Sequence, residues 1–410
     1  MKRIDFSKLN IGTYYLAPYA TTERHICELR ECGIDMVVNL RYDKRVLDLF
    51  KKYGIGAIIT GVMPGWFGGD GSNAGTMSTV NAMERYEAAT TAFTDHPAIW
   101  GLDTGDEPSC LDFEHYGRVF EYISVNHPEQ FAYLNIYPSY GVKGSNTLKE
   151  IYTQLGTKNY HEYIEQYCDK VSSEYICFDY YLYSANIAGA YESFYTVSEA
   201  CRKRKRRMWT VLQINSHLPD KWISENQLRF QANMALAFGA ESIIWACYTA
   251  GWWYNHVLDK DGNRTEQYAK LQKINAELHS LEKYYMQYQH VHTYFVGNYQ
   301  VDEIGSTGQK SLINLTTDSF KNVKAQADQK LLIGQMKPRQ MLQAGALKEA
   351  LMICAADDPY DTAMQSIRVY FETEADNPRA IGREGDIPII KYNNLYSFVI
   401  HSGEGVLLIG

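Results

Sequence analysis

Eight short apolar runs recur through the first 250 residues of this 410-residue chain, at 11–18, 36–41, 57–62, 98–107, 131–137, 175–183, 208–216 and 242–248. Stretches with helical spacing fall between them, at 22–32, 44–53, 77–95, 113–126, 160–170, 191–203 and 225–238, and a last one covers 265–285. Strands that alternate with helices this regularly pair in parallel, because each crossover helix returns the chain to the same edge of the sheet. Eight such units close into a (β/α)8 barrel. A doubly wound open sheet is the rival, and it usually has fewer strands and a glycine-rich first turn. The first run here leads into Ala17-Pro18-Tyr19-Ala20, with no G-x-G-x-x-G. The fold class expected is therefore α/β, a (β/α)8 TIM barrel.

After residue 285 the texture changes. The segments 291–301, 311–316, 330–332, 350–355, 367–372, 389–391, 396–400 and 406–409 are short, strand-like and broken by Gly, Asn and Asp. They predict a C-terminal β-sandwich docked on the barrel, with the barrel over 1–288 and the sandwich over 289–410. The sandwich is expected to support the barrel rather than carry chemistry. Its acidic loop, with Asp357, Asp358 and Asp361, reads as a solvated turn rather than a calcium site.

Charge and cysteine usage narrow the class. The formal net charge is −8, and the basic run Arg202-Lys203-Arg204-Lys205-Arg206-Arg207 stands alone. It falls at a predicted helix C-terminus, where cations meet the helix dipole, so no nucleic-acid partner is expected. The eight cysteines include no C-x-x-C pair, and Cys177 and Cys247 lie inside apolar runs. They read as reduced core residues. No apolar run reaches membrane-spanning length. Met1-Lys2-Arg3-Ile4-Asp5-Phe6 lacks the apolar segment of a signal peptide, so a cytoplasmic location is expected. His96, His217 and His256 show no metal-ligand spacing; neither a metal nor a cofactor is expected.

The chemistry concentrates in His96-Pro97-Ala98-Ile99-Trp100-Gly101-Leu102-Asp103-Thr104-Gly105-Asp106-Glu107-Pro108. An apolar run enters two adjacent carboxylates, and the proline then ends the strand, predicted to stop at Glu107. Barrel enzymes keep their catalytic groups at the C-terminal ends of their strands. The plain alternative is that Asp106 or Ser109 caps the following helix. Two carboxylates in contact resist double ionisation, which raises the pKa of one towards that of a proton donor at neutral pH. Asp103 shares strand parity with Glu107 and is expected to point into the barrel below the site.

The other strand ends add polar and aromatic groups: Arg41 on the second; Asn135 and Tyr137 on the fifth; Asp179 and Tyr181 on the sixth; Gln213, Asn215 and His217 on the seventh. The eighth adds Trp245 and Tyr248, followed by Trp252 and Trp253. Acids, amides and aromatics converging on one rim suit a carbohydrate. The 33 tyrosines point weakly the same way.

Residues 99–281 resemble bacterial proteins related to glycoside hydrolase clan A and family 42, the β-galactosidase-like proteins. The resemblance rests on Trp100-Gly101 with Asp106-Glu107-Pro108, on Tyr133-Leu134-Asn135-Ile136-Tyr137-Pro138, and on Phe178-Asp179-Tyr180-Tyr181. It also rests on Glu225 to Gln231 running into Ala235-Leu236-Ala237-Phe238-Gly239-Ala240, and on Asp259-Lys260-Asp261-Gly262-Asn263 with Tyr268 and Ile274-Asn275-Ala276-Glu277-Leu278. It implies Glu107 as the acid/base and Arg41 as a residue holding the negative side of the site. One departure matters. The clan keeps a nucleophilic Glu at the end of strand seven, and here that end has only amides and a histidine.

Two replacements for the missing acid remain open. Asp179 can oppose Glu107 across the mouth as nucleophile or as base for a water. Alternatively Asp106 orients the 2-acetamido group of the substrate in a substrate-assisted mechanism. The leading expectation is a glycoside hydrolase acting on a short glycan or glycoside. Glu107, Asp179 and Asp106 are its catalytic candidates, and Arg41, Asn135, Tyr137, Tyr181, Gln213, Asn215, Trp245, Tyr248 and Trp252 its substrate contacts. The alternatives are an N-acetylhexosaminidase and a catalytically inactive carbohydrate-binding barrel.

Overall fold

A computed structural model describes residues 2–61, 74–92, 95–142, 154–305, 311–339, 348–360 and 365–410. Val62, Asp361 and residues 93–94 of the third helical stretch lie outside them. The parallel strands are β1 (Asn10–Tyr14), β2 (Met36–Arg41), β3 (Gly56–Thr60), β4 (Ile99–Asp106), β5 (Phe131–Ile136), β6 (Tyr175–Tyr180), β7 (Arg207–Gln213) and β8 (Ala240–Ala246). They close into a barrel through β8 pairing back onto β1, with Asn10 opposite Ser242 and Tyr14 opposite Ala246. The helices are α1 (Glu23–Glu31), α2 (Lys44–Tyr53), α3 (Met83–Ala92), α4 (Phe113–Asn126), α5 (Tyr160–Lys170), α6 (Ile187–Arg204), α7 (Glu225–Ala237) and α8 (Glu266–Tyr285).

Alternation along the strands divides the core in two. Val37, Leu40, Ile59, Leu102, Leu134, Ile136, Ile176 and Phe178 face the helices. Met36, Val38, Ile58, Tyr133, Tyr175, Cys177, Trp209 and Val211 fill the interior. Tyr175 stacks on Trp209 at 4.3 Å there, so the barrel interior is filled by side chains.

Helix starts follow local capping chemistry. Asp43 accepts from the N–H groups of Arg45 and Val46 at the start of α2, and Ser224 and Gln227 form a reciprocal capping box on α7. The expected helix over 77–95 is broken: a single turn, Met77–Val80, precedes α3. Several strands stop short of the apolar runs that predicted them. β1 ends at Tyr14, β6 at Tyr180, β7 at Gln213 and β8 at Ala246. Each run continues past the last ladder bond into the loops that form the rim.

The C-terminal region is a β-sandwich. Its strands are β9 (Tyr288–Val296), β10 (Lys321–Ala325), β11 (Leu331–Pro338), β12 (Ala350–Ala355), β13 (Ser366–Glu372), β14 (Arg379–Gly382), β15 (Gly385–Ile387), β16 (Ile390–Tyr392), β17 (Leu395–His401) and β18 (Gly405–Ile409). Four form the sheet β10-β13-β17-β16 and six the sheet β15-β14-β18-β12-β11-β9. The expected strand over 311–316 contributes only isolated bridges at Leu312 and Leu315. β10, β14 and β15 were not anticipated; β10 reads Lys-Asn-Val-Lys-Ala, with only Val323 and Ala325 buried.

The six-stranded sheet packs one face on its partner sheet and the other on α7. Of the thirteen residues of α7, eleven are buried, which a helix reaches only with cover on both sides. A Cβ on Gly334 of β11 would lie 2.2 Å from the carbonyl oxygen of Ala237, so only glycine allows this approach. The buried Arg229 of α7 is paired with Glu225 at 2.6 Å and Glu277 at 2.8 Å. Uncompensated, that charge would be costly.

Four of the six residues of the basic run over 202–207 pair with neighbouring acids. Arg202 pairs with Glu199, Lys203 and Arg204 with Glu165, Arg204 with Asp169, and Arg207 with Glu241. None of the eight cysteines is in a disulfide. Asp358 accepts from the Tyr360 N–H within its own turn, and Asp357 accepts from the Lys330 N–H just before β11. Among the described residues no helix is long and apolar enough to cross a membrane, and no cluster of His, Cys, Asp and Glu has the form of a metal site.

Candidate active site

The site begins with an irregularity in β4. Asp103 stands opposite Tyr133, but Gly105 stands opposite Leu134 and Asp106 opposite Asn135. One extra residue is thus inserted near Thr104, whose hydroxyl donates to the Tyr133 carbonyl. In an unbroken strand, residues three apart face opposite sides. The bulge turns both Asp103 and Asp106 inward, a geometry that simple parity counting misassigns.

The strand ends at Asp106, one residue earlier than expected. Glu107 then adopts φ +45°, a left-handed conformation costly for a residue with a side chain. Its N–H donates to the Asn135 carbonyl at 2.9 Å. The twist brings Glu107 into the same cavity as Asp106, where a regular strand would have sent neighbours to opposite faces. The Pro108 carbonyl accepts from the Tyr163 hydroxyl at 2.7 Å, which anchors the turn. Ser109 supplies the cap for the next helical turn, accepting from the Leu111 N–H. Asp106 takes no part in capping.

The barrel mouth holds a cavity of 480 Å³ lined by Tyr14, Asp106, Glu107, Asn135, Tyr140, Asp179, Tyr181, Val211, Trp252 and Trp253. β4, β5 and β6 supply a polar wall. β1 and the loop after β8 supply an aromatic one, in which Tyr181 meets Trp253 edge-on at 5.1 Å and Tyr14 meets Trp252 at 6.1 Å. Asn135 ties the acids together: its Nδ2 donates to Asp106 at 3.0 Å and to Asp179 at 2.7 Å. The Tyr140 hydroxyl donates to the other oxygen of Asp179 at 3.0 Å. No described residue is hydrogen-bonded to the Glu107 carboxyl.

These surroundings separate the acids by protonation. Burial, then the nearby Asp179 and then Asp106 push Glu107 well above the usual carboxylate range. Burial and Asp179 push Asp106 up to about 7, against the pull of the Asn135 amide. Asp179 rises only to about 6, because the donors Asn135 and Tyr140 favour its charged form. Beneath them Asp103 is pushed up to about 7 by burial and then by Asp106. Crowded in one buried site, these carboxyls disfavour one another's charged forms. Within that set Asp179 is the best-supported anion and Glu107 the best-supported proton carrier, a division that acid–base catalysis requires.

The sequence-derived candidates separate into two sets. Glu107, Asp179, Asp106, Asn135, Tyr181 and Trp252 meet at the cavity, with Trp253 beside them. Arg41 lies exposed at the tip of β2 and is not among the cavity's described lining. The remaining five sit behind the wall. Trp245 faces outward and its indole N–H donates to Asn275 at 2.9 Å. Tyr248 is fully buried under the loop after β8. Tyr137 packs on Tyr163 with ring centres 6.3 Å apart. Gln213 binds Ser184, the Asn215 carbonyl and the Tyr183 N–H, and the Asn215 amide donates to the Trp252 carbonyl. These amides hold the loops that present the aromatic wall. Buried amides satisfied by backbone groups look the same in sequence as amides aimed at a ligand.

Tyr14 and Tyr140 were not anticipated. Tyr14 could have been found from the inward parity of β1. Tyr140 lies on a single helical turn, Ser139–Val142, after β5, where no periodicity indicates direction.

No protein-family model matches the chain, and no curated protein matches it in sequence. Solved structures align with it. A cycloisomaltooligosaccharide glucanotransferase of Paenibacillus sp., solved with cycloisomaltoheptaose, aligns over 99% of this chain and 85% of its own with a TM-score of 0.56 and 7% identity. A glucosidase of Croceicoccus marinus covers 97% and 81% at TM-score 0.44 and 9% identity. A family 5 mannosidase of Rhizomucor miehei covers 66% and 93% at 0.43 and 11%. The first shows that barrel plus sandwich is a known pairing. At these identities the likeness is one of fold.

Proposed function

We propose that the chain is a glycoside hydrolase acting on a short glycan or glycoside. Glu107 protonates the leaving oxygen, and Asp179 acts from β6 as the opposing carboxylate that the seventh strand lacks. Asp106 and Asn135 set the charge between them. Trp252, Trp253, Tyr181 and Tyr14 offer faces for the C–H surfaces of sugar rings. The observation that carries the reading is the pairing of a carboxyl held protonated, Glu107, with a hydrogen-bonded anion, Asp179, in one aromatic-walled cavity.

The hydrolysis of a panel of aryl glycosides, N-acetylhexosaminides included, tests it. Turnover of at least one glycoside, abolished by Asp179→Asn, is expected. Saturable sugar binding with no turnover anywhere on the panel would favour an inactive carbohydrate-binding barrel. Turnover of N-acetylhexosaminides alone would favour the substrate-assisted route through Asp106.

A further inference from the structure

At the cavity wall and just beneath it, five buried polar side chains are strung across the barrel. Asp106 of β4 is in register with Asn135 of β5, and Asn135 with Cys177 of β6, so three inward side chains lie abreast. Tyr133 lies two residues below Asn135 on the same face. Its hydroxyl is 3.5 Å from the Cys177 sulfur and 3.1 Å from the hydroxyl of Tyr14. The Cys177 sulfur is 3.7 Å from Oδ1 of Asn135.

The direction of this chain follows from proton counting. Oδ1 of Asn135 can only accept, so the single thiol proton is spent on it. The sulfur is then left to accept the Tyr133 proton, and the Tyr133 oxygen to accept that of Tyr14. Every donor points the same way, Tyr14 to Tyr133 to Cys177 to Asn135, and the amide N–H groups end on Asp106 and Asp179.

We propose that Cys177 and Tyr133 are positioning residues that lock the amide of Asn135 with its NH2 between the two carboxyls. The acids fix that orientation only while Asp179 is ionised. The two ends of an amide have nearly the same shape, and a protonated Asp106 could donate to Oδ1 in the flipped form. Burial keeps the Cys177 thiol protonated, so its donor persists whatever the charge on the acids. The lock favours the ionised form of the pair, which the division of protons between Asp179 and Glu107 needs. The inference rests on the proposed function only in calling that pair catalytic.

The test needs no substrate. The full chain is labelled with 13C at the aspartate carboxyls and titrated by NMR, with Asp106 and Asp179 assigned from their Asn variants. Other groups facing the pair are Asp103, Glu107, Tyr14, Tyr116, Tyr133, Tyr140, Tyr160, Tyr181 and Cys177 itself, and all but the substituted residue stay in place. Cys177→Ala should raise the midpoint of the pair by ~0.5 unit, since it frees the amide that favours the anion. Tyr133→Phe should move it the same way by less. Cys177→Ser, which keeps a donor, should stay near wild type. An unmoved midpoint in Cys177→Ala overturns the proposal. So does an equal shift in Cys177→Ser, which would mark a packing effect. Lack of glycosidase activity would count against the functional reading alone.

Discussion

Replacing Glu107 by Gln removes one transferable proton and little else. The side chain keeps its volume and place, and at neutral pH it replaces a carboxyl that burial and Asp179 already hold protonated. No described group stands hydrogen-bonded to the Glu107 carboxyl to relay a proton in its stead. Asp106, raised to about 7, lines the same cavity and can stand in for it only in part. A general acid contributes ~10²–10⁴ in rate. With Asp106 as a partial replacement the loss should fall at the lower end, ~100-fold in kcat, or about 2.7 kcal/mol of transition-state stabilisation, on alkyl or sugar leaving groups. Dinitrophenyl glycosides, whose leaving group needs no proton, should lose no more than ~3-fold. KM should be unchanged. The pH profile gives an independent check. In the proposed mechanism Glu107 acts protonated and Asp179 ionised, so the acid limb should report Asp179 near 6 and the alkaline limb Glu107. The variant should keep the first limb and lose the second. Wild-type rates on both substrate classes, or an alkaline limb that survives, would refute the assignment.

Asp179→Asn should cost at least ~100-fold on aryl glycosides and Asp106→Asn less; the reverse order in a kcat comparison, with only N-acetylhexosaminides cleaved, would install the substrate-assisted mechanism. Asp103 holds a proton in the folded state, with a pKa of about 7 against 3.8 for a free Asp, that the unfolded chain has already released. Stability is therefore lost as pH rises between those values, and Asp103→Asn should recover up to ~4 kcal/mol at pH 8 and nothing at pH 4. Melting curves at the two pH values decide this, and a lower Tm at both would count against it. The division of the chain at 288/289 is proposed to separate two units that do not fold apart, because α7 is covered by the sandwich. Residues 1–288 expressed alone should aggregate or melt without cooperativity in circular dichroism; a soluble, cooperatively folding fragment would show the reverse.

The barrel was legible in sequence because its signals are local. The strand runs at 36–41, 98–107 and 131–137 carry their burial in their own composition, and proline or glycine marks where several end. The meeting of Asp106, Glu107 and Asp179 at one mouth was legible too, since each carboxylate stands at the tip of an apolar run. The sandwich was legible as a class and not in detail, because β10 buries only every second residue in a segment rich in Lys and Asn. Direction is what tertiary structure alone decided. Trp245 and Trp252 are both tryptophans near the end of the eighth strand, yet one faces Asn275 outside the barrel and the other faces the cavity. Gln213 became a support for loops because Ser184, the Asn215 carbonyl and the Tyr183 N–H engage its amide, and Asn215 joins it by donating to the Trp252 carbonyl. Asp103 and Asp106 share a face, and Glu107 joins Asp106 at the cavity, because a single inserted residue in β4 and a left-handed turn after it override the two-residue repeat. That insertion is visible only against the neighbouring strand, since register is a property of a pair of strands and not of either sequence alone.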